Sequence, residues 1–406
     1  MIDSTHVSAT TEVILRKISG IGKCQVKFFI HIVRLVLSLR GRLNYLTMAR
    51  YGSYSEKSYR LNFGKMGQSF DFKSFNSQLI KTYCSSTLAW IFDPTYINKS
   101  GKHTPGTGYF WSGCAGALKW GLELSELAVL DVINHTAMHY HAVRTSFVKG
   151  EESLRAYYAQ LLCEQAEELL KISKIMIFDA FFSKKAFVDS ICKSGFILVS
   201  RLQKNIYLRY AYKGEQKKGK GRNKVYGDKI DLKNLSPDHF TLFEQNEEER
   251  AYEGLAHVRG LKRWCKVVIV HKIKDGKVKS ALIYFSTDIT MSGQQVYDYY
   301  TLRYQIEFIF RDTKGYLGLQ HTQSRQEEAL DFHFNLALTT YNIAKATHWL
   351  ALDKEQRNAF SIQDIKTQYV NQLLLDRLIS IYGKDPSVEI NNPEIRKLYH
   401  LGRIAA

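Results

Sequence analysis

Four residues whose types suit phosphate chemistry, Tyr300, Arg303, Glu307 and Lys314, stand at offsets 0, 3, 7 and 14. At about 100° per residue, a continuous helix would bring all four inside an arc of roughly 60°. One helix face would then carry a carboxylate between two cations and a phenol. Glutamate can ligate a divalent metal, and arginine and lysine can neutralise phosphate oxygens. Arg311 lies about 20° from Tyr300 by the same geometry and joins the candidates. The plainer reading is a solvated helix with i,i+4 pairs such as Arg303/Glu307, each contributing a few tenths of a kcal/mol.

Two aspartates change the weight of that comparison. Asp93 follows the apolar run of residues 87–92, and Asp179 follows that of residues 175–178. Both runs read as buried strands, and Pro94 predicts that the first of them stops where its acid is presented. Two strand-end aspartates and a helix-borne glutamate can hold two divalent cations about 4 Å apart, an arrangement that serves phosphodiester cleavage. Asp131 competes with Asp93 for the first position, but it falls on a later strand. His103, His135, His139 and His141 read as polar surface or core groups, because histidine is a poor ligand for a hard Mg²⁺-type cation.

The elements that must position these residues can be read from periodicity and punctuation. Residues 1–25 form a lead-in. Helices are expected over 26–39, 43–51 and 55–63, with the turn at 52–54 giving a helix-turn-helix layout. Arg60, on the third of these, can reach phosphates. Residues 64–85 read as a linker with a helix near 74–83. Strands over 87–92, 109–118 and 124–132, with a turn at Trp120-Gly121, predict an antiparallel meander. A helix over 151–172, a strand at 175–178, a helix over 183–194 and a strand at 196–200 complete the order β-β-β-α-β-α-β. Residues 204–286 carry a Lys/Gly tract (213–224) and strand-like runs at 206–212, 264–273 and 279–287, with Asp275-Gly276 marking a hairpin. Trp264 there either packs in the core or stacks on a base. Then come the helix of 300–314, closed by Gly315, a long apolar helix over 327–350, and tail helices at 361–382 and 393–401.

The charge narrows the partner. Lys and Arg number 57 against 39 Asp and Glu, a net charge of +18, which favours a polyanion such as nucleic acid. Six cysteines without CxxC spacing argue against a zinc site or a disulfide framework. The apolar run 28–39 is too short to span a membrane, and the opening residues lack a secretory layout, so a cytoplasmic protein is expected.

The combination resembles the DDE transposases of bacterial insertion sequences, in particular the insertion-sequence-4 type. Its Tyr-x2-Arg-x3-Glu-x6-Lys signature is similar to Tyr300, Arg303, Glu307 and Lys314 at every spacing. Asp93-Pro94-Thr95 resembles the family's first acidic motif, with Pro94 where a second Asp is frequent. Ile177-Phe178-Asp179-Ala180 resembles the second, with Ala180 where Gly is common. The resemblance implies an α/β fold: a ribonuclease H-like mixed sheet with flanking helices, in parts 86–203 and 287–350, interrupted by a β-rich insertion domain at 204–286. A helical DNA-binding domain at 1–85 precedes it and a helical tail at 351–406 follows. It further implies two Mg²⁺ ions, replaceable by Mn²⁺, on Asp93, Asp179 and Glu307, with Tyr300, Arg303 and Lys314 on the phosphates of the element end. Double-stranded DNA and a second copy of the chain are the implied partners. A metal-dependent nuclease on the same fold, or a catalytically silent DNA-binding relative, would carry much of the same pattern.

Overall fold

The computed structural model describes residues 4–101, 103–146, 153–216, 219 and 221–404. Lys102, Glu151 and Glu152, part of the Lys/Gly tract (Lys217, Lys218, Lys220) and the start of the lead-in lie outside the described residues. The N-terminal part folds as five helices: α1 (Ser4–Leu15), α2 (Lys23–Ser38), α3 (Tyr45–Tyr51), α4 (Glu56–Ser69) and α5 (Phe72–Tyr83). Asn44, Ser55 and Asp71 begin the last three, each accepting a bond from the backbone N–H three residues on. α4 runs six residues past the predicted end at Phe63. Gly64 and Gly67 weaken its helical signal, but Gly67 answers a packing need, since a Cβ there would lie 2.0 Å from the Glu328 carbonyl oxygen. Phe63 meets Phe332 edge-on at 4.9 Å nearby. These helices therefore share one hydrophobic core with the rest of the described chain.

The sheet begins with β1 (Leu88–Asn98), β2 (Gly108–Ser112), β3 (Ala117–Asp131) and β4 (Thr136–Arg144). The predicted three-strand meander is instead four strands that do not follow chain order, since β1 pairs with β3 and β2 lies on the other side of β3. β1 does not stop at Pro94: beyond Ile91 it is paired on the β3 side only, so a residue without an N–H costs it little. Trp120 and Gly121 lie within β3, not at a turn; the tight connection is at residues 113–116. Tyr109 and Trp111 face Trp120 and Leu118 across this hairpin, and all four side chains are exposed. Next come α6 (Leu154–Cys163), α7 (Ala166–Leu169), β5 (Ile175–Ile177), a 3-10 turn (Ala180–Phe182), α8 (Lys185–Lys193) and β6 (Ile197–Leu202).

Residues 204–286 supply β7 (Leu208–Ala211), β8 (Tyr226–Lys229), β9 (Phe240–Gln245), β10 (Glu249–Val258), β11 (Arg263–Lys274) and β12 (Lys277–Ser286). Asp275 and Gly276, with φ of 52° and 71°, make the predicted hairpin turn between the last two. All the described strands belong to one sheet of twelve, ordered β2-β3-β1-β5-β6-β12-β11-β10-β7-β8, with β4 on β3 and β9 on β10. β5 runs parallel to β1 and β6, while β12 joins β6 antiparallel and carries the sheet on.

The chain closes with α9 (Gly293–Thr301), a 3-10 turn (Leu302–Tyr304), α10 (Gln305–Tyr316), α11 (Glu327–Lys345) with a π-helical extension (Ala346–Leu350), α12 (Ile362–Ile381), α13 (Pro386–Glu389) and α14 (Pro393–Tyr399). The single helix expected over 300–314 is therefore broken at Leu302–Tyr304, and Gly315 lies inside α10 rather than closing it. The Thr301 hydroxyl bonds to the carbonyls of Tyr297 and Asp298, a pattern that bends helices where the break begins. α11 covers the outer edge of β4 with amides: Asn335 bonds to both backbone groups of Ala142, and Asn342 to both of His139. No helix among the described residues is long and apolar enough to cross a membrane.

Candidate active site beside β1 and β5

Register brings the two aspartates together. Ile91 of β1 pairs with Ile177 of β5, and Asp93 and Asp179 each stand two residues further on. Equivalent positions on neighbouring parallel strands lie about 4.8 Å apart and point to the same face, here in the middle of β1, where its pairing with β5 has ended, and just past the end of β5. Asp179 leads into the 3-10 turn, its Oδ1 accepting from the Phe181 N–H at 2.9 Å.

The broken helix completes the group. Arg303, mostly buried in the 3-10 turn, donates to Glu307 Oε1 at 2.8 Å and stands 3.6 Å from Asp93 Oδ2. Burial pushes the Asp93 carboxyl up to about 7; Arg303 opposes the shift, while Asp179, Glu307 and Glu123 add to it. Asp179 is likewise raised by burial, against its backbone N–H bonds and the cations Arg303 and Arg201. Three carboxylates thus crowd one guanidinium. Lys314 anchors α10 to β1, its Nζ donating to Thr95 Oγ1 at 2.7 Å and to the Tyr96 carbonyl at 3.0 Å. Tyr300 stacks on Tyr284 at 4.4 Å, and both Arg201 and Arg303 bear on its phenol.

Residues 134–343, just over half of the chain, match the family model of the transposase DDE domain. The chain belongs to this family. The matched span of the DDE domain includes Asp179 and Glu307 and starts past Asp93. No curated protein matches the chain. Among solved structures, the chain is similar to a piggyBac transposase synaptic complex with hairpin DNA, at 12% identity over 96% of this chain and 82% of that one, with a TM-score of 0.40.

Not every residue singled out from the sequence of this DDE-family chain joins the group. Arg311 pairs with Asp312 and lies over the Phe308 ring, and it is well exposed. Its expected alignment with Tyr300 presumed an unbroken helix. Trp264 stacks with Tyr226 and meets His257 on the β8–β10–β11 part of the sheet. Arg60 pairs with Glu56 and covers Tyr45. Conversely, Arg201 and Glu123 belong to the surroundings and were missed. Arg201 extends a strand predicted to end at Ser200, and Glu123 precedes one predicted to begin at Leu124. A charged residue at the end of a buried run was the available signal. Tyr158 donates a short hydrogen bond to Glu123.

The donor set, three carboxylates, has the hard-oxygen chemistry that suits Mg²⁺. Among the described residues no three ligating side chains are grouped tightly enough to hold a metal ion, and Glu307 is bonded to Arg303. A carboxyl with a raised folded pKa keeps a proton that the unfolded chain has released. Its stabilisation is present near pH 4 and is lost as pH rises toward 7. Asp93→Asn is therefore expected to raise the melting temperature of metal-free protein by several degrees at pH 8 and by little at pH 4. Thermal melts at the two pH values check this; equal shifts would remove the crowded-carboxylate account.

Proposed function

We propose that this DDE transposase, of insertion-sequence-4 type, binds the ends of a mobile element, cuts them and joins the freed 3′ ends to target DNA. The observation that carries the reading is the equivalent register of Asp93 and Asp179 beside the Arg303–Glu307 pair. The mixed order around β1, antiparallel on one side and parallel on the other, supports a ribonuclease H-like core at 86–203 and 287–350. Residues 204–286 act as its β-rich insertion, 1–85 as the helical DNA-binding part and 351–406 as the tail.

Asp93 and Asp179 present oxygen donors side by side, and Glu307 joins them once Arg303 turns to the phosphate. Divalent metal held there, two Mg²⁺ with Mn²⁺ as a substitute, supplies an activated nucleophilic oxygen and offsets charge on the leaving oxygen. Arg303, released from the carboxylates, becomes a bidentate donor to phosphate oxygens. Tyr300 and Arg201 flank the same position. Lys314 keeps α10 on β1 and so sets where Glu307 stands, with its ammonium close behind for the terminal phosphate. Two copies of the chain hold two element ends, and the protein works in the cytoplasm.

The test is a joining assay with a duplex carrying the inverted repeat that flanks the gene and a supercoiled target. Joined products in Mg²⁺, abolished by a chelator, are expected. Cleavage without joining would identify a nuclease on this fold, and metal-independent products would overturn the carboxylate site.

A further inference from the structure

Past the carboxylates, β1 ends at a cavity of about 620 Å³ that the site does not use. Arg42, Lys99, Thr104, His321 and Arg325 are among its lining, and no carboxylate is among the described residues there. The Lys99 amine donates to the carbonyls of Thr322 at 2.8 Å and Ser324 at 3.1 Å, which holds the far wall in place. The charged groups that bear on Lys99 are Arg325 and Arg42, and those that bear on His321 are Arg42 and Lys366. Like charges gathered in this way repel one another unless an anion joins them.

A second observation points to a ligand. The Thr104 hydroxyl is buried and has no hydrogen-bond partner, a condition that is unfavourable unless something supplies one. Gly101 has no side chain to cover it; a Cβ there would lie 2.8 Å from the hydroxyl oxygen. Arg42 also lines a cavity of about 520 Å³ with Arg40 and Lys366. Arg325 lines another of about 610 Å³ with Lys57, Arg60 and Lys65, and Glu327 and Glu328 are also in its lining. The shared arginines join the three cavities into one basic track along the N-terminal helices.

We propose that this track seats the DNA backbone, with the cavity of Arg42, Lys99, Thr104 and Arg325 holding one phosphate in a fixed place. The proposal rests on the transposase reading and adds where the non-reacting duplex runs. The five residue steps along β1 from Asp93 to Asn98 span about 16 Å, which corresponds to roughly five base pairs from the phosphate at the carboxylates. Contacts to phosphate fix position without reading sequence.

Binding of the full-length protein to a labelled duplex of arbitrary sequence, followed across a salt series, tests this. R42Q/R325Q is expected to weaken binding about 10–100-fold at low salt and to reduce the slope of log K against log salt by about 1.8, for two phosphates at about 0.9 each. T104V keeps the side-chain shape, should weaken binding several-fold with the slope unchanged, and carries the test if the arginine variant does not fold. K277Q/K279Q removes two exposed charges on β12, off the track, and should leave binding close to wild type. Binding by R42Q/R325Q equal to that of this control, or by T104V equal to wild type, overturns the inference while the transposase reading stands. A wild-type protein that binds no duplex overturns both.

Discussion

Asp179→Ala is expected to lower metal-dependent nicking of an end-containing duplex by about 10³-fold or more while end binding stays within a few-fold of wild type. The expectation follows from what the position does. Asp179, just past the end of β5, sits beside Asp93 in mid-β1, and its neighbour cannot take over two donor roles. Asp179→Asn keeps an oxygen for the Phe181 N–H and removes only the charge, so it separates loss of ligation from loss of the 3-10 turn. On the proposed reading the three act as one unit whose effects do not add, so Asp93→Ala and Glu307→Ala should lose as much. Nicking by any of the three at more than a tenth of the wild-type rate would sink the assignment.

The largest expected effect on stability is at Asn342, far from the chemistry. Its amide accepts from the His139 N–H at 2.8 Å, donates to the His139 carbonyl at 2.6 Å and donates to Asn76 Oδ1 at 3.1 Å, all buried. Asn335 repeats the arrangement on Ala142 one heptad earlier, so the face of α11 stands in for a missing strand along β4. Asn342→Ala strands two buried backbone groups, each costing about 1–3 kcal/mol. A loss of about 2–5 kcal/mol in denaturant unfolding is expected. A loss below about 1 kcal/mol would mean that water reaches β4 and that the edge is not sealed by this helix.

The chain shows which parts of the fold travel with local pattern. The helices near 26–39 and 361–382 and the strands near 264–273 and 279–287 were legible because their signal, the repeat of apolar positions with a cap or a turn residue, lies within a dozen residues. α4 was cut short because the glycines that admit Glu328 look like a linker until the partner is known. β4 was missed because its outer edge is satisfied by side chains some two hundred residues later. The β1 extension through Pro94 was hidden for a related reason: whether proline is tolerated depends on which neighbour strand continues beside it.

For the candidate site, the sequence by itself determined the groups on offer: two aspartates after apolar runs, and a phenol, a guanidinium, a carboxylate and an ammonium at fixed spacing. Those are properties of residue type and order, and the proposal of phosphodiesters and hard cations starts from them without a fold. Only the tertiary structure decided the arrangement. The in-register pairing of Ile91 with Ile177 puts the aspartates side by side, although 86 positions separate them along the chain. The 3-10 break turns Arg303 onto Glu307 and Asp93, leaves Arg311 outside and commits Lys314 to β1. Distant strands meet through hydrogen bonds that no local periodicity encodes, and a helix bends according to what it packs against. Positions along a chain can therefore name the groups of a site, while their distances belong to the folded sheet.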